Sequence, residues 1–200
     1  MKKQLFLIVI LFCSTQLFSQ QIHRKTLKLM GSRFDISVVA NDTLKATYYI
    51  NLAIEEIVRI EKLISSWDPN SQTSEINKNT GVQPVKVDKE LFNLIERSIA
   101  ISKLTDGAFD ISYASMDKIW KFDGSMKTMP TEEAIKKSVA KIGYKNIILN
   151  PKDQSIFLKL EGMKLGLGGI GQGYIADKVK DKLVANGCVS GIVNVSGDIN

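Results

Sequence analysis

The sequence contains very little histidine, and this excludes several common kinds of catalytic site. Among its 200 residues the only histidine is His23, near the N-terminus. A Ser-His-Asp triad, a histidine general base and a His-ligated zinc site therefore all lack their central residue. What remains is carboxylates, main-chain groups and glycine-rich segments, which suit a hard cation such as Mg²⁺ holding phosphates. These residue types favour phosphoryl or nucleotidyl transfer, in which positioning and charge neutralisation contribute most of the catalysis.

Long apolar runs are also scarce, and the clearest one lies at the N-terminus. Two lysines precede the unbroken apolar run 5–12, and a passable cleavage pattern ends at Ser19. The run is too short to span a bilayer. Residues 1–19 are therefore predicted to be a cleaved export signal, with a lipid-bearing Cys13 as the alternative.

Cysteine is the third scarce residue. Without residues 1–19 the chain keeps only Cys188, which excludes an internal disulfide, a metal finger and a dithiol redox centre. Cys188 is expected to pack as a small apolar residue between a helix and a strand.

Composition and charge indicate one soluble globular domain, residues 20–200. The chain is 44% hydrophobic and 24% charged, which are ordinary values for such a domain. Its net charge of +6 comes from scattered lysines without a basic run, so we predict no nucleic-acid partner.

Glycine is abundant in one segment, residues 165–177, which contains five of the fourteen glycines. The alternating residues 155–160 before it predict a strand. Residues 174–186 after it predict an amphipathic helix closed by Gly187, and residues 189–195 predict another strand. A glycine-rich turn that leads into a helix start offers free N–H groups to a phosphate.

The spacing Gly166-x-Gly168-x-x-Gly171 also fits the dinucleotide fingerprint, with Asp198 as a candidate ribose-binding acid. The match is weak, because the gap to Asp198 exceeds the usual spacing of about 20 residues and the motif comes late in the chain. A Rossmann-type NAD oxidoreductase stays open as an alternative, as does a plain tight connection between strand and helix.

The rest of the chain mixes helical and strand patterns, which predicts an α+β fold of mixed or antiparallel sheets with packed helices. In chain order the patterns first predict a hairpin of residues 25–30 and 33–38 around Gly31-Ser32, then a helix from caps at 41–43 to Ser66. A polar surface loop 71–87 near the ligand follows, and after it a helix 89–104 capped by Asp88. The last predicted elements are a short strand or extended segment 108–111, a helix 131–141, and a hairpin of 144–149 and 155–160.

Five separated stretches carry a family resemblance from about Met30 to the end of the chain. They are Met30 to Phe34, Ser66 to Ser71 with Ser74 to Asn77, Thr105 to Asp110, Gly168 to Asp177, and Val193 to Asp198. Together and in this order they resemble the N-terminal part of the FAD:protein FMN transferases, also called ApbE-like flavin transferases.

The resemblance implies an ApbE-like, T-fold-like architecture and an exported, Mg²⁺-dependent enzyme in the periplasm, either free or attached to the inner membrane. It implies that the FMN moiety of FAD is transferred to a threonine hydroxyl of an acceptor protein, a subunit of a membrane redox complex, with release of AMP. An FAD pyrophosphate hydrolase, or an FAD-binding protein of the same fold, is the alternative.

The resemblance also implies site residues, although it identifies no catalytic residue here. A main-chain carbonyl ligand for the metal falls on Gly169. FAD contacts fall on Met30, Trp67, Ala108, Phe109, Asp110, Gly166 and Gln172. Several of these have a structural alternative, since Met30 and Phe109 are also typical core residues, Trp67 could cover a helix end and Asp110 could cap a turn.

The chain departs from the family pattern at two of these positions. Gln172 and Gly166 stand where the family frequently has lysine and aspartate, so one cation and one carboxylate are missing. The resemblance places the remaining metal ligands after Asn200. Residues 20–200 are accordingly expected to form an incomplete domain with part of a metal site, inactive by itself.

Overall fold

Two antiparallel sheets and the helices packed against them make up the fold. A computed structural model describes residues 20–121 and 123–200, so the predicted export signal with Cys13 lies outside the described residues. The strands are β1 (Gln21–Leu29), β2 (Ser32–Ala40), β3 (Val85–Lys86), β4 (Ile147–Asn150), β5 (Ser155–Leu158), β6 (Gly191–Val195) and β7 (Asp198–Ile199). The helices are α1 (Thr43–Ile64), α2 (Gln72–Lys78), α3 (Lys89–Leu104), α4 (Glu132–Val139) and α5 (Gly168–Ala185), with 3₁₀ turns at Ile111–Ser115 and Tyr144–Asn146.

The first sheet has the strand order β1-β2-β6-β7 and the second has the order β3-β5-β4, all neighbours being antiparallel. This confirms the predicted α+β class. Within the described ranges, no helix combines the length and the apolar character that a membrane crossing needs.

The predicted N-terminal hairpin is present, but its turn lies one residue earlier than the sequence indicates. Leu29 pairs with Ser32, so Met30 and Gly31 form a two-residue turn. Both have positive φ, 50° at Met30 and 72° at Gly31, as a type I′ hairpin turn requires. Glycine adopts this conformation readily, whereas methionine rarely does.

Helices α1 and α5 cover one face of the first sheet. Asp42 caps the start of helix α1, and its carboxylate accepts a hydrogen bond of 2.7 Å from the N–H of Lys45. It packs against β2 and α5, and α5 in turn packs against β6. The core between these layers buries alternate residues of β2 and one stripe of α1, as the sequence periods predict. Its members include Phe34, Ile36, Val38, Ala53, Ile57, Ile60, Ile175, Val179 and Val195. Cys188 is buried in the same core, as predicted.

The glycine-rich segment is helical from Gly168 onward, and the prediction of a glycine turn there is wrong. Helix α5 begins at Gly168, so Gly169, Gly171 and Gly173 all lie in its first turns. Gly171 is buried, and a Cβ at this position would lie 2.9 Å from Cδ1 of Ile64. Glycine here lets α5 approach the end of α1, which outweighs its poor helix propensity.

The predicted surface loop 71–87 also contains regular structure. Ser71 caps α2, accepting a hydrogen bond of 3.0 Å from the N–H of Ser74. Thr73 and Ile76 are buried, so α2 contributes to the core despite its polar sequence. The hydrophobic pattern of the sequence does not indicate this helix, because its buried face includes threonine and serine. Their hydroxyls donate hydrogen bonds to main-chain carbonyls.

The strands on either side of α5 exclude the Rossmann alternative. In the described residues β5 pairs with β3 and β4, whereas β6 pairs with β2 and β7 in the other sheet. A dinucleotide-binding βαβ unit needs two parallel strands of one sheet on either side of its helix. The glycine spacing at Gly166, Gly168 and Gly171 therefore serves a different purpose. The predicted α3, α4 and β4–β5 hairpin are confirmed.

Candidate functional site

A cavity of about 480 Å³ opens where the β1–β2 turn, the end of α1 and the start of α5 meet. This volume is typical of small-molecule sites. The cavity brings together three of the predicted ligand contacts, which are far apart in the sequence. Its principal lining residues are Met30, Ser32, Trp67, Tyr113, Gly168 and Gln172.

Trp67 is the most prominent side chain of this cavity. It follows the end of α1, where the hydroxyl of Ser65 accepts hydrogen bonds from the N–H groups of Trp67 (3.3 Å) and Asp68 (3.1 Å). The indole is 84% exposed, so it does not cover the end of α1. The Nζ of Lys118 lies 5.6 Å from the ring centroid. An exposed aromatic ring at the mouth of a cavity is well placed for stacking on a planar ligand.

Met30 and Gln172 also line the cavity. Met30 is half-buried at the hairpin turn and packs against the core. The side-chain amide of Gln172 donates a hydrogen bond to the hydroxyl of Ser32 over 3.2 Å. This bond joins the first turns of α5 to the hairpin, and Gln172 offers the cavity a neutral donor.

Hydrogen bonds hold the chain just before α5 from three directions. Asn77 exchanges hydrogen bonds with the main chain of Leu165, donating over 3.0 Å and accepting over 2.7 Å. Ser115 does the same with Lys164, over 3.0 Å and 2.8 Å. The N–H of Gly166 donates to the carbonyl of Ile111 over 2.8 Å. The segment leading into α5 is therefore rigidly placed.

The start of α5 is open to a ligand. Leu167 occupies the N-cap position and makes no side-chain capping bond. Gly168 and Gly169 are the first helical residues, and N–H groups at the start of a helix have no hydrogen-bond acceptor within the helix. Both glycines are exposed. Such a helix start attracts phosphate groups through its N–H groups and its dipole.

The charges that line the cavity do not themselves favour an anion. Glu61 and Asp68 line it, and no lysine or arginine of the described residues does. An anionic ligand in this cavity would depend on the start of α5, on Gln172, on Lys118 beside the Trp67 ring and on counter-charges that arrive with the ligand.

A second groove, of about 310 Å³, lies on the other side of the same helix start and contains Gly169 together with Asp177 and Asp198. A carboxylate oxygen of Asp198 lies 3.9 Å from where a Cβ on Gly173 would be. Asp177 accepts a hydrogen bond of 2.5 Å from Asn200. Oxygen donors of this kind suit Mg²⁺. Among the residues that the structure describes, however, no group of three or more His, Cys, Asp or Glu side chains could hold a metal ion. The groove thus fits the cation with a partial ligand set only.

The predicted contacts Ala108, Phe109 and Asp110 do not line the first cavity. Phe109 is partly buried, and its ring lies 3.4 Å from where a Cβ on Gly169 would be, so it packs against the start of α5. Asp110 caps the following 3₁₀ turn, accepting hydrogen bonds from the N–H (2.8 Å) and hydroxyl (2.6 Å) of Ser112. Its other oxygen accepts from the N–H of Tyr144 over 2.7 Å.

A charged network fixes α5 against α1 and α3. Arg59 donates hydrogen bonds of 2.6 Å to Glu56 and to Glu90, and the hydroxyl of Tyr174 donates one of 2.6 Å to Glu90. The bond from Arg59 lowers the pKa of Glu90, and the bond from Tyr174 also lowers it against the opposing effect of burial. Burial and the bond to Glu90 raise the pKa of Tyr174. The network therefore keeps Glu90 ionised and Tyr174 protonated.

Sequence reasoning missed Tyr113 and Asn77 as residues of the site. Asn77 belongs to one of the stretches that carry the family resemblance, so its position carried a signal, but nothing in the sequence indicated its bonds to Leu165. Tyr113 has no local signal, because its contact with Gly166 joins segments that only tertiary folding brings together.

Comparison with known proteins gives matches along most of the chain. The sequence pattern of the ApbE family matches residues 30–200. The FAD:protein FMN transferase of Klebsiella pneumoniae (strain 342) is 31% identical over 172 residues, which cover 86% of this chain and 53% of that protein. The FAD:protein FMN transferase of Treponema pallidum (strain Nichols) is 26% identical over 159 residues, 75% of this chain and 44% of that protein. The chain thus spans about half the length of the curated relatives that it matches.

Solved structures give the same result for the fold. The ApbE protein of Thermotoga maritima superimposes with a TM-score of 0.75 at 27% identity, over 88% of this chain and 57% of that one. The flavin transferase ApbE from Vibrio cholerae superimposes with a TM-score of 0.78 over 90% of this chain and 58% of that one, and at 18% identity this likeness concerns the fold alone. The predicted ApbE-like architecture is therefore confirmed.

Proposed function

The chain belongs to the ApbE family, as its motifs predict, and on that premise we propose that the protein is an Mg²⁺-dependent FAD:protein FMN transferase. The observation that carries this proposal is the convergence of Met30, Trp67 and Gln172 on one cavity beside the uncapped start of α5. A flavin nucleotide carries a planar ring system and a phosphate group, and the cavity offers a surface for each.

In the proposed reaction a threonine hydroxyl of the acceptor protein attacks the phosphorus of the FMN half of FAD. The new bond joins the threonine oxygen to this phosphorus. The bond from the phosphorus to the bridging oxygen breaks, AMP leaves with the electron pair, and the hydroxyl proton is released. The chain contributes mainly by binding and orienting the two reactants, which is the dominant contribution to phosphoryl transfer.

The residues of the cavity have separate roles in this proposal. Trp67 stacks on a ring of FAD, and Met30 provides apolar contact. Gln172 donates a hydrogen bond to the ligand, more weakly than a cation would. The N–H groups at the start of α5 receive a phosphate. Ala108, Phe109, Asp110 and Gly166 do not line the cavity, and in this proposal they act by shaping the main chain around the helix start.

Mg²⁺, when bound, neutralises phosphate charge. Of the residues in this chain, the main-chain carbonyl of Gly169 is the proposed ligand. Its groove supports this assignment because it also contains the carboxylates of Asp177 and Asp198, which are oxygen donors, although Arg97 lines the same groove.

The acceptor and the location are proposals of the same kind. We place the protein outside the cytoplasm, in the periplasm or attached to the inner membrane, because of the export pattern in residues 1–19. The acceptor is a protein with a threonine flavinylation site, and a subunit of a membrane redox complex is the partner that the family resemblance favours.

The test uses the whole protein with FAD, Mg²⁺ and a threonine-bearing acceptor. The matched control is the same acceptor with its target threonine changed to alanine. We expect covalent flavin fluorescence on the acceptor in a denaturing gel, formation of AMP in equal amount, and neither product with the alanine control or with a chelator. Release of free FMN instead of transfer would identify an FAD pyrophosphate hydrolase. FAD binding without turnover would identify a binding protein, and absence of FAD binding would overturn the proposal.

A further inference from the structure

We propose that Tyr113 is a ligand-binding residue of the cavity, whose hydroxyl donates a hydrogen bond to the phosphate group held at the start of α5. This inference deepens the proposed function and rests on it. Tyr113 belongs to none of the stretches that carry the family resemblance, and the case for it comes from its position against Gly166 and Gly168.

The ring of Tyr113 occupies the space beside Gly166. A Cβ added to Gly166 would lie 3.2 Å from two ring carbons of Tyr113 and 3.0 Å from the Cβ of Ala114. The N–H of Gly166 is already bonded to Ile111. Gly166 is therefore buried under the tyrosine ring and presents neither a side chain nor an N–H to a ligand. The group that faces the cavity at this place is Tyr113.

The hydroxyl of Tyr113 reaches the start of α5. It lies 3.3 Å from where a Cβ on Gly168, the first helical residue, would be. Tyr113 and Gly168 both line the cavity. A phosphate that accepts hydrogen bonds from the first N–H groups of α5 would therefore lie within reach of this hydroxyl, which can act as a donor.

The main chain around Tyr113 is held on both sides, so the ring is positioned before any ligand arrives. Asp110 caps the 3₁₀ turn on one side, and Ser115 exchanges hydrogen bonds with Lys164 on the other. The N–H of Tyr113 itself donates to the carbonyl of Asp110 over 3.2 Å. A side chain on a rigid support loses little conformational freedom on binding, which increases its contribution to affinity.

The charge of the cavity explains why a neutral donor is useful here. Glu61 and Asp68 line the cavity, and the family's frequent lysine is replaced by Gln172. A tyrosine hydroxyl adds a donor to a phosphate at a place where the described lining offers no cation. Tyr113 thereby compensates in part for the cation that is missing at Gln172.

The experiment compares Tyr113→Phe with Tyr48→Phe in the whole protein. The two tyrosines are equally exposed, 49% and 50%, and Tyr48 bonds to Asn186 away from the cavity. Loss of one hydrogen bond to a charged group predicts that Tyr113→Phe binds FAD roughly tenfold more weakly. Tyr48→Phe should bind FAD like the wild type, and the thermal midpoints of both variants should match the wild type.

Riboflavin, which has no phosphate, separates the two parts of the inference. If the hydroxyl meets the phosphate, Tyr113→Phe binds riboflavin as well as the wild type does while losing affinity for FAD. Equal loss for both ligands would overturn the phosphate assignment. Unchanged FAD affinity would overturn the role of Tyr113 and leave the proposed function standing. A wild-type protein that binds no FAD would instead overturn the proposed function itself.

Discussion

The side-chain amide of Gln172 lies 3.2 Å from the hydroxyl of Ser32 and donates a hydrogen bond to it. This contact joins α5 to the hairpin turn that presents Met30, and both partners line the same cavity. It holds a neutral donor at the cavity, beside the start of α5, where a charged group would bind a phosphate more strongly.

Gln172→Lys should therefore increase the affinity for FAD. A lysine ammonium near a phosphate adds a charge-assisted interaction, which we expect to be worth roughly a three- to tenfold gain in affinity at low salt. Titration of FAD at low and at high ionic strength measures it, and the gain should shrink as salt increases. Gln172→Met, which has a similar length but no donor, is the control and should lower the affinity. A lysine variant without gain and without salt dependence would show that the phosphate lies elsewhere.

Trp67→Ala should weaken FAD binding without unfolding the protein. The ring is 84% exposed, so its removal should change the free energy of unfolding by less than about 0.5 kcal/mol. Loss of stacking should lower the FAD affinity by roughly three- to tenfold. Leu104→Ala is the matched control, because Leu104 is 86% exposed and does not line the cavity. FAD titration and thermal unfolding of both variants check this, and unchanged FAD affinity in Trp67→Ala would contradict stacking.

Asn77→Ala should destabilise the protein and disturb the site together. Asn77 makes two hydrogen bonds to the main chain of Leu165, and their loss leaves a part-buried N–H and carbonyl without partners. We expect a loss of about 1–3 kcal/mol in the free energy of unfolding, measured by urea denaturation. The exposed Asn93, changed to alanine, is the control and should have little effect. Equal stability of the two variants would mean that Asn77 does not hold the segment before α5.

Two glycines on either side of the start of α5 should respond in opposite directions to alanine. Gly166→Ala places a Cβ 3.0 Å from Ala114 and 3.2 Å from Tyr113, so overpacking should cost roughly 1–3 kcal/mol of stability. Gly173→Ala meets its nearest neighbour, Asp198, only at 3.9 Å, and it should gain about 0.5–1 kcal/mol because alanine favours the helix. Urea midpoints of both variants decide this. A stable Gly166→Ala variant would mean that Tyr113 and Ala114 yield easily.

The ion pair of Glu90 with Arg59 predicts a dependence of stability on pH. Because the folded state lowers the pKa of Glu90, its contribution to stability is present above the unfolded pKa and is lost as the pH falls through the folded pKa. Glu90→Gln should therefore cost about 1 kcal/mol at pH 7, limited by solvent screening of this partly exposed pair, and the difference from wild type should shrink at acid pH. The exposed Glu55, changed to glutamine, is the control. Urea denaturation at neutral and acid pH measures both, and a difference that grows with acidity would contradict the assignment.

Most helices and strands were predictable because each depends on residues within one short stretch of sequence. The stripe of α1, the cap at Asp88 and the alternation of β2 are set by side-chain periods and capping groups that lie next to each other in the chain. The errors arose where packing overrides local preference. The glycines predict a turn at Gly168 to Gly173. This stretch is instead the start of α5, where Gly171 packs closely against Ile64 and hydrogen bonds hold Leu165 just before the helix.

The sequence by itself determined the α+β class, most of the elements and the family, because hydrophobic periods and ordered motifs are local or linear properties. Only the tertiary structure decided which predicted contacts share a cavity. Met30, Trp67 and Gln172 come together there. Asp110 instead caps a turn, and Phe109 packs against Gly169. The tertiary structure also decided the placement of Tyr113 over Gly166. Distances between segments that are remote in the sequence depend on how helices and sheets pack, and the local residue pattern does not indicate them.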